Sequence, residues 1–259
     1  MVRHPALPNV FHPIVIGITL LLSSVLTQSC ARTKPYTQVE ISTDIKVIEV
    51  IQNKSGSINS INASLGLKPA SILIPQLDAY LSYKREGLFR LIGITPTGFT
   101  LFDFKTIDNQ FTLSLSDGKE TSGTLEEFIK GLKEIYGVDI PEDPEIVRDV
   151  LDFYGGEGYK DTGFFIEELK DYYILNQFRN SDNIAYPIRR WWIDKEDMIV
   201  VRKEIFSKLP DKRGERLFEI LYGDFKIVDN IWIPFEIEIK GKEGNGLLKM
   251  KFNKVEYNK

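Results

Sequence analysis

The sequence predicts an α+β domain in which one long, curved antiparallel β-sheet carries a few helices on a single face. Three observations predict it. Strand-like runs separated by short turns fill both halves of the chain, only three segments have helical periodicity, and two of those sit together in the middle. Consecutive strands joined by tight turns pair antiparallel. Three short helices cover only one face of so large a sheet, and a strongly curved sheet would hold them in its concavity. The same pattern also fits an ordinary packed core, which periodicity alone favours.

The first 29 residues have the layout of an export signal. Arg3 is the one charged residue of that segment, Ile14 to Leu26 form an apolar run, and small Ser29 precedes Cys30. The run is too short to span a bilayer, which needs about 20 apolar residues. Cys30 is the only cysteine and stands directly behind this leader, as in bacterial lipoproteins, where such a cysteine carries the lipid anchor. The alternative is an ordinary signal peptide cut nearby, leaving an unpaired thiol.

Cleavage before Cys30 also removes His4 and His12, the only histidines. The remaining 230 residues then hold no histidine and no free thiol, which excludes His-based triads, Cys nucleophiles and His/Cys metal sites. No cofactor, metal or catalytic residue is expected, and an enzyme becomes the less favoured class. With 32 basic and 37 acidic side chains the mature charge is −5, so neither nucleic acid nor an anionic membrane surface is an electrostatic partner. Attachment to a membrane falls to acyl chains, and one chain alone anchors only marginally.

Residues 30–38 are polar with a proline and read as a tether, followed by one domain over 39–259. Ile41, Ile45, Ile48 and Ile51 predict an amphipathic helix ending at Ser55-Gly56. Tyr80 to Ile94 and Phe99 to Phe104 are strand-like and flank Thr95-Pro96-Thr97-Gly98, a turn sequence. Phe111, Leu113 and Leu115 alternate with polar residues up to Asp117-Gly118. Thr124-Leu125-Glu126-Glu127 is a capping box, opening a helix with a stripe of Leu125, Phe128, Ile129, Leu132 and Ile135. Asp143-Pro144 starts a second helix, with Val147, Val150, Leu151 and Tyr154 on one side, stopped by Gly155-Gly156. Strands return at Phe164–Asn176, Ile188–Ile193, Ile199–Phe206, Leu217–Val228, Ile231–Lys240 and Leu247–Tyr257. Ile233, Phe235, Phe111, Leu113, Phe128 and Leu132 are the candidates to line a cavity between helices and sheet.

Other motifs have plain explanations. Arg189-Arg190-Trp191-Trp192 could form an interface patch, but a strand with one Trp inside and one outside is preferred. Glu236 and Glu238 share a strand face opposite Ile233, Phe235 and Ile237 and read as solvated. Glu167, Glu168 and Asp171 lack the glycine-bearing spacing of a calcium loop.

The run Leu88-Phe89-Arg90-Leu91-Ile92-Gly93-Ile94-Thr95-Pro96-Thr97-Gly98 resembles the LolA/LolB-like superfamily of outer-membrane lipoprotein-sorting proteins, nearest to its LolB-type receptors. The resemblance continues through Asp117-Gly118-Lys119, Val138-Asp139-Ile140-Pro141, Tyr222-Gly223-Asp224-Phe225 and Leu248-Lys249-Met250-Lys251. It implies an unclosed, strongly curved half-barrel whose concave apolar face lies under helices. It implies a lipid-anchored outer-membrane protein facing the periplasm, which receives the acyl chains of lipoproteins from a LolA-like carrier. Arg85, in Lys84-Arg85 before Leu88-Phe89, corresponds to the arginine that holds a lid in the carriers. Pro96, Thr97 and Phe99 fall on the loop by which the receptors reach the membrane. Thr97 stands where the receptors carry a protruding leucine, so Phe99 is the residue suited to replace it. A second class is a non-transferring envelope lipoprotein using the same fold as a structural or assembly module.

Cys30→Ala should abolish acylation. Intact-mass analysis of membrane-extracted protein is expected to show acyl mass on an N-terminal Cys30 in the wild type, and a mature chain starting elsewhere would contradict the anchor.

Overall fold

The computed structural model of the chain describes residues 40–42, 45–69, 76–85, 87–136, 150, 162–181, 184–207 and 213–257, with backbone alone at 40–42, 45, 46, 55 and 131–136. The leader, Cys30, the tether and nearly all of the helix expected after Asp143 lie outside these residues. The first part comprises β1 (Glu40–Ser42), α1 (Ile45–Gly56), β2 (Ser60–Pro69), β3 (Leu77–Lys84), β4 (Leu88–Ile94), β5 (Thr100–Ile107), β6 (Gln110–Leu115), β7 (Glu120–Thr124) and α2 (Leu125–Tyr136). The second comprises β8 (Thr162–Glu168), β9 (Tyr172–Ser181), β10 (Ile184–Asp194), β11 (Val200–Phe206), β12 (Arg216–Val228), β13 (Ile231–Gly241) and β14 (Gly246–Tyr257).

All fourteen strands form one antiparallel sheet in the order β1-β8-β9-β10-β11-β12-β13-β14-β2-β3-β4-β5-β6-β7. Its terminal strands β1 and β7 are not paired with each other, so the sheet is unclosed. Two meanders, β2–β7 and β8–β14, meet where β14 pairs with β2, setting Phe252 opposite Leu65 and Tyr257 opposite Ile61. Consecutive strands β7 and β8 stand near opposite edges of the sheet.

Most expected strands are present, with five corrections. Ile41 belongs to β1, paired with β8, and not to the helix, which starts at Ile45. The runs Tyr80–Ile94 and Phe164–Asn176 are each two strands; Gly87, at φ 101°, turns the first. Ser60–Pro69 and Glu120–Thr124 are strands that the sequence reading left unassigned. The turn after β4 is as expected. Gly98 N–H donates to Thr95 O at 2.9 Å, Thr95 N–H donates to Phe99 O at 2.9 Å, and Gly98 takes φ 90°. That is a three-residue hairpin loop closed by a left-handed glycine.

Alternation divides the sheet into two faces. Ile61, Ala63, Leu65 and Leu67 on β2 share one with Ala79, Leu81 and Tyr83 on β3, and with Met250, Phe252, Val255 and Tyr257 on β14. The same face continues through Ile233, Phe235 and Ile237 to Ile220, Trp191, Leu175 and Ile166, and all these residues join in one buried cluster. Val47 and Ile51 of α1, and the lone described residue Val150, pack into it. Tyr222 Oη donates to Val150 O at 3.3 Å, which holds Val150 to β12. Both helices and Val150 therefore cover the same face.

The other face is polar and cross-linked by charge. Arg90 grips Asp103 with two hydrogen bonds of 2.9 and 2.6 Å, and Lys249 reaches Glu236 at 2.6 Å. Glu236 and Glu238 thus face outward as expected, Glu238 beside Lys240. On β9–β12 this ladder is denser. Arg190 Nε donates to Asn176 Oδ1 at 2.7 Å, while Arg190, Arg202 and Arg216 meet buried Glu204 at 3.1, 2.5 and 3.3 Å.

Burial opposes ionisation of Glu204, but the hydrogen bond and charge of Arg202, with Arg190 and Arg216, outweigh it and hold the carboxyl below its ordinary range. A depressed carboxyl pKa adds stability above the unfolded value, and that stability is lost as pH falls through the folded one. Glu204→Gln should lower stability at pH 7 by about 1–3 kcal/mol, the arginines being about one-third exposed. The difference between variant and wild type in urea unfolding should shrink below about pH 4.

Candidate functional site

The covered face has an aromatic end under α2. The capping box forms as its sequence requires: Thr124 N–H donates to Glu127 Oε2 at 2.8 Å and Glu127 N–H to Thr124 Oγ1 at 3.2 Å. This start places Leu125 and Phe128 over β5 and β6. The Phe128 ring lies 4.6 Å from that of Phe104 and 4.9 Å from that of Phe111, with Leu113 packed against the group. Rings at these separations attract beyond the area they bury. Phe89 and Phe102 pack against both this group and the main cluster, so the apolar surface is continuous from one to the other.

Of the expected lining residues, Phe111, Leu113 and Phe128 meet at the aromatic end. Ile233 and Phe235 lie in the main cluster on β13, separate from them. Leu132 is in α2, and its side chain falls outside the described residues. Phe104, Phe89 and Phe102 belong to the site too. The spacing of Phe102 and Phe104 by two on β5 carried a signal, but only the register with β6 sets Phe104 opposite Leu113, and only that with β4 brings Phe89 beside them.

Arg85 lies between β3 and β4 with Nη1 4.0 Å from the place a Cβ would take on Gly56, the last residue of α1. A guanidinium there suits the negative end of the helix dipole. The helix it touches is thus α1. At the other end of the sheet Phe99 stands 73% exposed on the β4–β5 turn, among the most open large apolar residues described. Thr95 Oγ1 accepts from Phe99 N–H at 3.0 Å and lies 2.9 Å from Thr97 Oγ1, so the polar side chains of the turn bind each other. Trp191 is buried on the covered face and Trp192 lies on the opposite one, with Arg202 5.0 Å from its ring centroid. No group of metal-ligating side chains occurs among the described residues, and no described helix is long and apolar enough to cross a membrane.

Gly93 is required where the two parts of the face join. A Cβ there would lie 2.2 Å from Cε1 of Phe102 on the neighbouring strand. Gly93→Ala should therefore displace the Phe102 ring at a cost of about 1–3 kcal/mol. Adding Phe102→Leu should recover part of the loss, read as a non-additive double-mutant cycle in urea unfolding.

No protein-family model matches the chain, and no curated protein matches it in sequence. Its similarity to solved structures is in the backbone. A domain named for outer-membrane lipoprotein sorting, from Vibrio parahaemolyticus, superposes with a TM-score of 0.55 at 11% identity, covering 82% of this chain and 91% of that one. A LolA superfamily protein from Nitrosomonas europaea superposes with a TM-score of 0.50 at 11% identity over 82% and 93% of the two chains. A DUF1329 family protein from Desulfovibrio piger gives 0.50 at 12% identity over 82% and 91%. The chain thus shares its backbone fold, an unclosed antiparallel sheet with its described helices on one apolar face, with these structures, a LolA superfamily protein among them.

Proposed function

We propose that the protein is an envelope lipoprotein, anchored in the outer membrane through acylated Cys30, that binds acyl chains on the covered face of its sheet and takes part in lipoprotein sorting or insertion. The observation that carries this reading is the continuous apolar face, from Ile166 on β8 to Phe111 on β6, on which both described helices pack. Laid flat, the strands from β8 to β3 alone would span roughly 40 Å at their usual spacing, yet their inward residues form one cluster. A helix of 12 residues is about 18 Å long and 10 Å wide, so α1 and α2 do not cover such a width. A sheet wrapped into a half-barrel around them accounts for the burial. Similarity in fold to a domain named for lipoprotein sorting supports the same reading.

Such a role needs no catalytic group, and we read the protein as a binding protein and not an enzyme. Moving an acyl chain between two apolar surroundings is nearly isoenergetic, provided each CH2, worth about 0.8 kcal/mol, stays out of water. The cavity has only to accept the chains, from a LolA-like carrier in this reading, and to release them to the bilayer. Exposed Phe99 on a stiff Pro96 turn provides the apolar contact for release that Thr97 lacks.

The test uses the mature chain with Cys30→Ala, a fluorescent fatty acid and liposomes. Uptake should be saturable, and Phe128→Glu should weaken it at least tenfold while Phe99→Ser leaves it unchanged. Phe99→Ser should instead slow delivery of acylated cargo to liposomes. Full uptake without delivery by the wild type would favour the non-transferring envelope lipoprotein.

A further inference from the structure

The main cluster contains a polar group that an apolar core does not require. Gln177 pairs with Arg189 across β9 and β10, and Trp191 pairs with Lys203 across β10 and β11. Residues opposite one another share a face, and those two apart on a strand do so too. All four therefore sit together on the covered face, among Ile166, Leu175, Ile205 and Ile220. They are deeply buried: Lys203 is 0% exposed, Gln177 and Trp191 1%, and Arg189 8%.

Arg189 and Lys203 have partners within the chain. Two of the other polar atoms do not. Trp191 Nε1 and Gln177 Oε1 are buried without a hydrogen-bond partner. Gln177 Nε2 lies 3.1 Å from Thr162 Oγ1. A hydroxyl both donates and accepts, so a half-turn of the amide keeps that contact and presents the NH2 instead. Leaving such groups unmet in a buried place is costly, and a ligand oxygen or hydrogen that meets them recovers that cost. An indole N–H and an amide beside two cations are suited to anionic oxygens.

We propose that Gln177, Arg189, Trp191 and Lys203 form a site on the apolar face for the anionic head of an acyl-bearing ligand, a carboxylate or a phosphate. The inference rests on the acyl-binding reading and adds to it. Acyl chains lie along the apolar face, and the head takes the indole and amide hydrogens while sharing the charge of Arg189 and Lys203 with their present partners.

The test compares oleate, monooleoyl lysophosphatidate and neutral oleyl alcohol on the mature chain with Cys30→Ala, by displacement of a fluorescent fatty alcohol. At least one anionic ligand should bind about tenfold more tightly than the alcohol, a difference of about 1.4 kcal/mol; the tighter of the two identifies the head. Lys203→Met should remove the preference and leave alcohol binding within about twofold. Trp191→Phe keeps both cations and most of the ring volume, and should reduce the preference several-fold; it decides the matter if Lys203→Met does not fold. Equal affinity for all three ligands overturns the site but leaves acyl binding intact. Binding of none overturns the acyl-binding reading as well. Displacement of the probe by millimolar inorganic phosphate alone would show a site for free anions and overturn the lipid assignment.

Discussion

Everything in this sheet depends on the pairing of β14 with β2. It joins residues about 190 positions apart, at a loop-closure cost on the order of 5 kcal/mol for a flexible chain. Leu65, Leu67, Met250 and Phe252 meet along the seam on the covered face, and burying such side chains contributes about 1.5–3 kcal/mol each. Without the seam there are two meanders, each with a long unpaired edge and an apolar face too wide for the helix beside it. With it, the apolar face becomes continuous, and among the described strands the edges belong to three-residue β1 and five-residue β7. Short edge strands are a usual way to limit unwanted pairing.

The described apolar residues of α2, Leu125 and Phe128, pack on the covered face near its β7 edge. Val150, held by Tyr222 of β12, packs into the same face. α1 and α2 thus share one face, leaving the other to its ladder of arginine and glutamate. That ladder links β9–β12 across the outer face, while the covered face of the same strands is mostly apolar.

The polar group on β9–β11 stands against this economy. A fully packed core would place methyl groups where Gln177 and Lys203 stand, and buried ion pairs replaced by apolar residues are often neutral or more stable. Its place amid Ile166, Leu175 and Ile220 is what the proposed head-group site accounts for and a plain apolar core does not.

The amino-acid sequence by itself determined the local structure. Alternation in Ile231–Gly241, the capping box at Thr124, and the Pro96-Thr97-Gly98 turn each appear where short-range chemistry puts them. The outward course of Glu236 and Glu238 and the split of Trp191 from Trp192 follow from period two alone. Ser60–Pro69 was equally legible in its Ile61, Ala63, Leu65, Leu67 alternation, but Gly66 and a polar opposite face weakened the signal. Ile41 misled because spacing of three and four continues across the break between β1 and α1. Tertiary structure decided the rest. Helix packing on the sheet brings Phe128 to Phe104 and the end of α1 to Arg85, and register brings Gln177 and Trp191 to Arg189 and Lys203. Those residues lie far apart along the chain or on separate strands, so nothing local encodes their meeting; it follows from hydrogen-bonded strands that align whole rows of side chains at once.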